Sequence, residues 1–172
     1  YGNWTNNGTF NQHATGLVSM RGGTAQSIDG SSAINFTNLT INKSGGVITL
    51  SKPVTVSESL NMTSGNILTT GTNLLTIGTS TGAPGSLSWT GGTILGPLKR
   101  YYSGNADGTQ QAGIFPVGNS SYNRYARVNF TSANAVGSIT AQYISGLPFS
   151  AQDSGLPLTV NGQLIQNSEE EG

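Results

Sequence analysis

The chain has 172 residues, with seven basic and seven acidic side chains, one His and no Cys. Charged residues make up 8% of it, against about a quarter in an average soluble domain, while 25 Gly, 21 Ser, 21 Thr and 17 Asn supply about half. This excludes a helical protein built on Glu and Lys and a disulfide framework or thiolate metal site. At zero net charge it also excludes a nucleic-acid binder, which must displace many counterions.

The same composition raises disorder, but β-branched and aromatic residues recur too regularly for a disordered chain. A chain near this size buries roughly 70% of its unfolded surface, enough for a core. There is no signal peptide and no apolar run of about 18 residues, so no membrane span is expected. The lack of Cys is compatible with export. The start at Tyr1 and the end at Glu171-Gly172 read as a fragment of a longer chain.

In chain order, the first elements are short alternating bursts. Leu39-Thr40-Ile41, Val54-Thr55-Val56 and Leu75-Thr76-Ile77 share one pattern, apolar-Thr-apolar, which is strand periodicity in β-branched residues. A looser repeat of Gly, polar, then apolar residues runs through Gly65-Asn66-Ile67-Leu68, Gly71-Thr72-Asn73-Leu74-Leu75 and Gly92-Thr93-Ile94-Leu95, with Gly8-Thr9-Phe10 and Gly16-Leu17-Val18 as degenerate copies. Between bursts, Gly, Asn and Ser form turns. No segment holds helical spacing for three turns, and Pro53, Pro84 and Pro97 break any helix.

Short strands repeated at this density predict an all-β chain. Residues 1–97 are read as a right-handed parallel β-helix-like solenoid whose coils stack inward apolar residues. An antiparallel β-sandwich carries the same alternation and is the alternative. Leu39, Ile41, Val54, Val56, Leu60, Leu75 and Ile77 are the expected inward set. The texture changes near Pro97, where Lys99-Arg100-Tyr101-Tyr102 is followed by a polar loop and then by Ile114-Phe115-Pro116-Val117-Gly118. Residues 98–172 are read as a small β-sandwich-like module capping the last coil, with Phe115 anchoring its core and Pro116 limiting pairing beside it.

The run FTNLTINKSGGVITLSKPVTVSESL from Phe36 to Leu60, then Asn61-Met62-Thr63-Ser64-Gly65, resembles large exported surface proteins of the Bacteroidota. Gly96-Pro97-Leu98-Lys99-Arg100 and Phe115-Pro116-Val117-Gly118 look like a matching later stretch of those proteins, and the resemblance covers roughly residues 1 to 145. It implies export by the type IX secretion system, display on the cell surface or release, and β-helix and β-sandwich modules in a long adhesin-like chain. The C-terminal sorting domain of such proteins is absent from this sequence, which fits the fragment reading.

No chemistry of catalysis emerges. The one His, His13, lies in a polar stretch, and no G-x-S-x-G is present. Paired carboxylates for glycoside cleavage would come from Asp29, Glu58, Asp107 and Asp153, which are isolated in sequence, and Asp29-Gly30 and Asp107-Gly108 are turn signatures. No cofactor is expected. Asn105, Asp107 and Thr109 resemble half of a calcium loop without its closing Glu. The candidate ligand-binding cluster is Arg100, Tyr101, Tyr102, Tyr122, Arg124, Tyr125 and Arg127. Its aromatic faces would stack on sugar rings and its cations would hold an acidic polysaccharide; Arg-on-Tyr stacking at the module junction is the structural alternative.

Eight N-x-Ser/Thr sequons, at Asn3, Asn7, Asn35, Asn38, Asn42, Asn61, Asn119 and Asn129, follow from Asn and Thr richness. Thr-rich strands also suggest an ice-binding ladder, against which the variable spacing counts.

The expected role is a non-catalytic structural or adhesive segment of a secreted or cell-surface bacterial protein. A carbohydrate-binding module or a polysaccharide-active β-helix is the second reading. Expected partners are other protein chains, met through edge strands such as Leu158-Thr159-Val160 and Leu164-Ile165 or through solenoid ends, and surface glycans.

Overall fold

The computed structural model describes residues 2–103, 113–130 and 137–144, together with the backbone pairing of 158–160 and 163–165. The strands in chain order are β1 (Trp4–Thr5), β2 (Val18–Gly22), β3 (Gln26–Asp29), β4 (Ile34–Leu50), β5 (Val54–Leu68), β6 (Leu75–Ile77) and β7 (Ser86–Trp89). They continue with β8 (Thr93–Leu95), β9 (Leu98–Tyr102), β10 (Ile114–Phe115), β11 (Ala126–Arg127), β12 (Gly137–Ala141), β13 (Leu158–Val160) and β14 (Gln163–Ile165). Among the described residues there is no α-helix, and no helix long and apolar enough to cross a membrane.

The strands wind into a parallel β-solenoid of about five turns, followed by a small antiparallel sheet. Three columns of strands stack along it. In the first, Ile34 pairs with Val54, Val54 with Leu75 and Leu75 with Leu98. In the second, Val18, Leu39, Leu60 and Leu87 follow one another. In the third, Gln26, Ile48, Ile67 and Ile94 do so, and Ile94 continues in parallel to Val117. β4 and β5 run through all three columns, and their register shifts between Phe36 and Asn38 and between Asn42 and Val47 mark the corners.

Side-chain alternation turns these columns into a core. Residues i and i+2 of a strand share a face, so each rung sends its apolar residues inward to stack on the rung before. All seven members of the expected inward set are at most 1% exposed. The three apolar-Thr-apolar bursts fall in two different columns. Leu39-Thr40-Ile41 lies in the second column, while Val54-Thr55-Val56 and Leu75-Thr76-Ile77 are successive rungs of the first. Only the step from Val56 to Ile77 is a true coil.

Two copies of the glycine repeat, Gly65 and Gly92, have a corner as their cause, which Gly46 shares; Gly71, Gly8 and Gly16 do not take positive φ. Gly46, Gly65 and Gly92 precede the third-column rungs with φ of 63°, 96° and 88°. A Cβ on Gly92 would lie 2.1 Å from the Gly65 carbonyl oxygen, and one on Gly65 would lie 2.7 Å from Lys43 Cβ. Glycine alone takes positive φ at low cost and lets successive coils approach this closely.

The change of texture near Pro97 falls on a strand that belongs to both arrangements. β9 pairs in parallel with β6 on one edge and antiparallel with β12 on the other. Parallel pairing therefore continues past residue 97, and Ile94 N–H donates to Pro116 O (2.7 Å) while Gly118 N–H donates to Ile94 O (3.2 Å). Pro116 thus serves as an acceptor where it cannot donate. Phe115, Val117, Ile139 and Ala141 belong to the same buried cluster as the coils, so the separate second core expected around Phe115 is instead a continuation of the first.

Aromatic rings gather at the two ends of this core. Trp4, Phe10 and Phe36 meet edge to face with centroids 4.8 to 6.1 Å apart. At the other end Tyr102 meets Phe115 and Phe130. Residues 37–88, which form the middle coils, contain no aromatic residue. Stacked rungs leave room for branched aliphatic chains, whereas an end must cover a whole layer. β13 and β14, expected as edge strands open to another chain, pair with each other, Leu158 opposite Ile165.

Candidate functional site

Strand alternation divides the Arg and Tyr cluster. In β9, Leu98, Arg100 and Tyr102 point inward, and Lys99 and Tyr101 point outward. Arg100 (3% exposed) and Tyr102 (5%) are therefore core residues, which corrects their expected place at a ligand surface. Arg100 occupies the rung above Ile77, in a column otherwise filled by Phe36 and Val56. Its guanidinium Nη1 donates to the Ile114 carbonyl, and its Cζ lies 5.5 Å from the Tyr102 ring centroid and 5.7 Å from that of Phe115. Burial lowers the Arg100 pKa, opposed by the neighbouring Tyr102 phenol. Burial likewise pushes Tyr102 up to about 12, opposed by the Arg100 charge. Arg100 ties the last coil to β10 and stacks on its rings, which is the junction role.

Tyr122, Arg124, Tyr125 and Arg127 are exposed and form two separate pairs. Arg124 lies over Tyr122 at 5.4 Å and Arg127 over Tyr125 at 5.7 Å. Tyr125 also leans on Trp89, centroids 5.8 Å apart. Trp89 ends the inward row of Met20, Ile41 and Met62, so this ring contact covers the top of the second column. Tyr122, at 63% exposed, is the outermost ring of the set.

The outward half of β9 belongs to a different feature. Asn35, Thr55, Thr76 and Lys99 are in register on successive coils and line the first column's outer face. Together with Tyr101 they border a hollow of about 370 Å³. Lys99 Nζ sits 4.9 Å from the Tyr101 ring centroid. Sequence reading found Thr55 and Thr76 only as the middle of apolar-Thr-apolar strands. The same pattern identified them as outward; it could not align them.

The other candidates are dispersed. His13 is exposed in a tight turn, its Nδ1 3.0 Å from Thr15 Oγ1. Asp29 Oδ1 accepts from its neighbour Gly30 N–H at 2.7 Å, as a turn signature does. Asp29 ends β3 in the third column, while Glu58 is exposed within β5. Among the described residues no group of three or more His, Cys, Asp or Glu gathers as a metal site. Asn105, Asp107 and Thr109 lie outside the described residues, as do Asp153 and the glutamates of the tail.

One cation escaped sequence reading altogether. Lys43 ends its second-column rung inside the fold and is 2% exposed. Its Nζ donates to Thr24 O and Gln26 Oε1, both at 2.7 Å, and to Gly22 O at 3.3 Å. Burial lowers its pKa. It cross-links the corner of the first coil to the second without a carboxylate, and nothing in its local sequence, Asn42-Lys43-Ser44-Gly45, marks it as buried.

Comparison of the chain with protein-family models, with curated proteins and with solved structures gave no match.

Proposed function

We propose that this chain is a non-catalytic structural and adhesive segment of an exported bacterial surface protein. The observation that carries the reading is the continuity of three strand columns over one buried core, with Thr, Asn and Ser outward on every coil. Such a rod presents a long polar face at fixed spacing and needs little charge to stay soluble. The resemblance of Phe36 to Gly65 and of the later Pro-containing stretches to Bacteroidota surface proteins supports an extracellular or cell-surface location and type IX export. β2 supports contacts with other chains: among the described residues it pairs with β4 alone, and Leu17 beside it is 62% exposed.

Beads coated with the purified chain test the adhesive role in a flow assay on polysaccharide-coated and protein-coated surfaces, beside a reducing-sugar assay on the same glycans. Retention of coated over uncoated beads, with no sugar ends released, is expected. Sugar release that Asp29→Asn or Glu58→Gln abolishes would overturn the non-catalytic reading. The second reading, a carbohydrate-binding module, is favoured by the hollow along Asn35, Thr55, Thr76 and Lys99.

A further inference from the structure

We propose that the outer face of the first column binds an acidic polysaccharide lying along the solenoid axis; this rests on the adhesive reading and names its ligand. The hollow bordered by Thr76, Lys99 and Tyr101 adjoins a second of about 310 Å³ bordered by Ser32, Lys52 and Pro53, and the two share Asn35 and Thr55. Each volume lies in the range of about 300–1,000 Å³ typical of ligand sites. Joined, they form a trough across four rungs, from Asn35 through Thr55 and Thr76 to Lys99. At about 4.7–4.9 Å per strand the row is roughly 14 Å long.

The lining decides the ligand class. The row offers an amide, two hydroxyls and an ammonium at one fixed spacing, which suits the repeated hydroxyls of a polymer better than a single compact ligand. Two cations flank the row, Lys99 on its last rung and Lys52 in the turn that leads into its second, and no carboxylate borders either hollow. That arrangement favours a chain with acid groups at intervals over a neutral one.

Three side chains of the row are also uncommitted. On the second column outward groups bond one another, Ser59 Oγ to Asn38 Oδ1 (2.7 Å) and Ser64 Oγ to Asn42 Oδ1 (3.1 Å). In the trough Asn35, Thr55 and Thr76 make no side-chain hydrogen bond to the described residues, so their polar groups face water or a ligand. A peptide adding as a strand needs an open edge, and the strands at the middle rungs, β5 and β6, are paired on both sides. Zero net charge disfavours nucleic acid.

The test is titration of the intact chain with polygalacturonate and with a neutral galactan of matched length, at low and high salt, followed by circular dichroism on every variant. Binding to polygalacturonate that weakens with salt is expected, with little binding to galactan. The double variant Lys52→Gln/Lys99→Gln should lose about tenfold in affinity, the scale of two partly exposed ion pairs. Thr76→Val should weaken binding without changing charge. Arg21→Gln, on the second column, should leave it unaltered. Absence of binding, equal binding to galactan, or equal losses in Arg21→Gln and the double variant would overturn the proposal. Beads coated with the folded double variant that adhere as well as wild type would retire the trough and leave the adhesive reading standing. Wild-type beads that fail to adhere, while the chain binds polygalacturonate in solution, would retire the adhesive reading alone.

Discussion

Leu60→Ala is the most direct test of the stacked core. Leu60 is wholly buried and sits between Leu39 and Leu87 on the adjoining rungs. The substitution removes three carbons, which at about 0.8 kcal/mol per buried methylene forfeits roughly 2.4 kcal/mol of transfer free energy. A cavity term adds to this. Backbone hydrogen bonds hold the Leu60 strand at strand spacing to the rungs above and below, which resists closure of the walls on the void. The expected total is about 3–5 kcal/mol, the upper part of the range for Leu→Ala. Urea unfolding followed by far-ultraviolet circular dichroism measures it. Asn61→Ala, one residue on and facing outward, should stay within about 0.5 kcal/mol of wild type. A loss below about 1 kcal/mol for Leu60→Ala, or equal losses for the two variants, would refute the inward register of the second column.

Gly92→Ala should destabilise by roughly 1–3 kcal/mol, because the new Cβ would meet the Gly65 carbonyl at a φ of 88°, and thermal unfolding of the variant measures it. Lys43→Met should destabilise by about 1–3 kcal/mol through the orphaned Thr24 and Gln26 oxygens. Because burial lowers the Lys43 pKa, wild type should gain on this variant as pH rises through the lowered value toward the usual 10.5, which denaturant midpoints at several pH values will show. The Tyr102 phenol, raised to about 12 by burial, should ionise well above the usual value of 10.0 in an ultraviolet titration that Tyr102→Phe identifies. Its raised value contributes stability that is complete below pH 10 and lost as pH rises toward 12, and Tyr102→Phe should remove that dependence.

Much of this was legible in local pattern. Alternation of period two is a property of neighbouring residues, so Val54-Thr55-Val56 announces two inward side chains and one outward whatever it pairs with. The glycines before Asn66 and Thr93 announce turns for an equally local reason, since positive φ is cheap only without a Cβ. Composition determined that the fold would be β and sparingly charged.

Register was beyond that reach. Which burst stacks on which depends on hydrogen bonds between strands some twenty residues apart, and sequence spacing confounded a corner with a coil at Leu39-Thr40-Ile41 and Val54-Thr55-Val56. Arg100 followed the same alternation as its neighbours, but its charge argued for the surface. The packed rings of Tyr102 and Phe115 and the Ile114 carbonyl, brought to it by long-range pairing, help hold it inside. Lys43 is buried because a corner places three oxygens around one ammonium. The trough has the same origin: Asn35, Thr55, Thr76 and Lys99 are unremarkable outward residues along the chain, and parallel stacking alone brings them into one row. Local sterics set each residue's face, and long-range pairing set its neighbours.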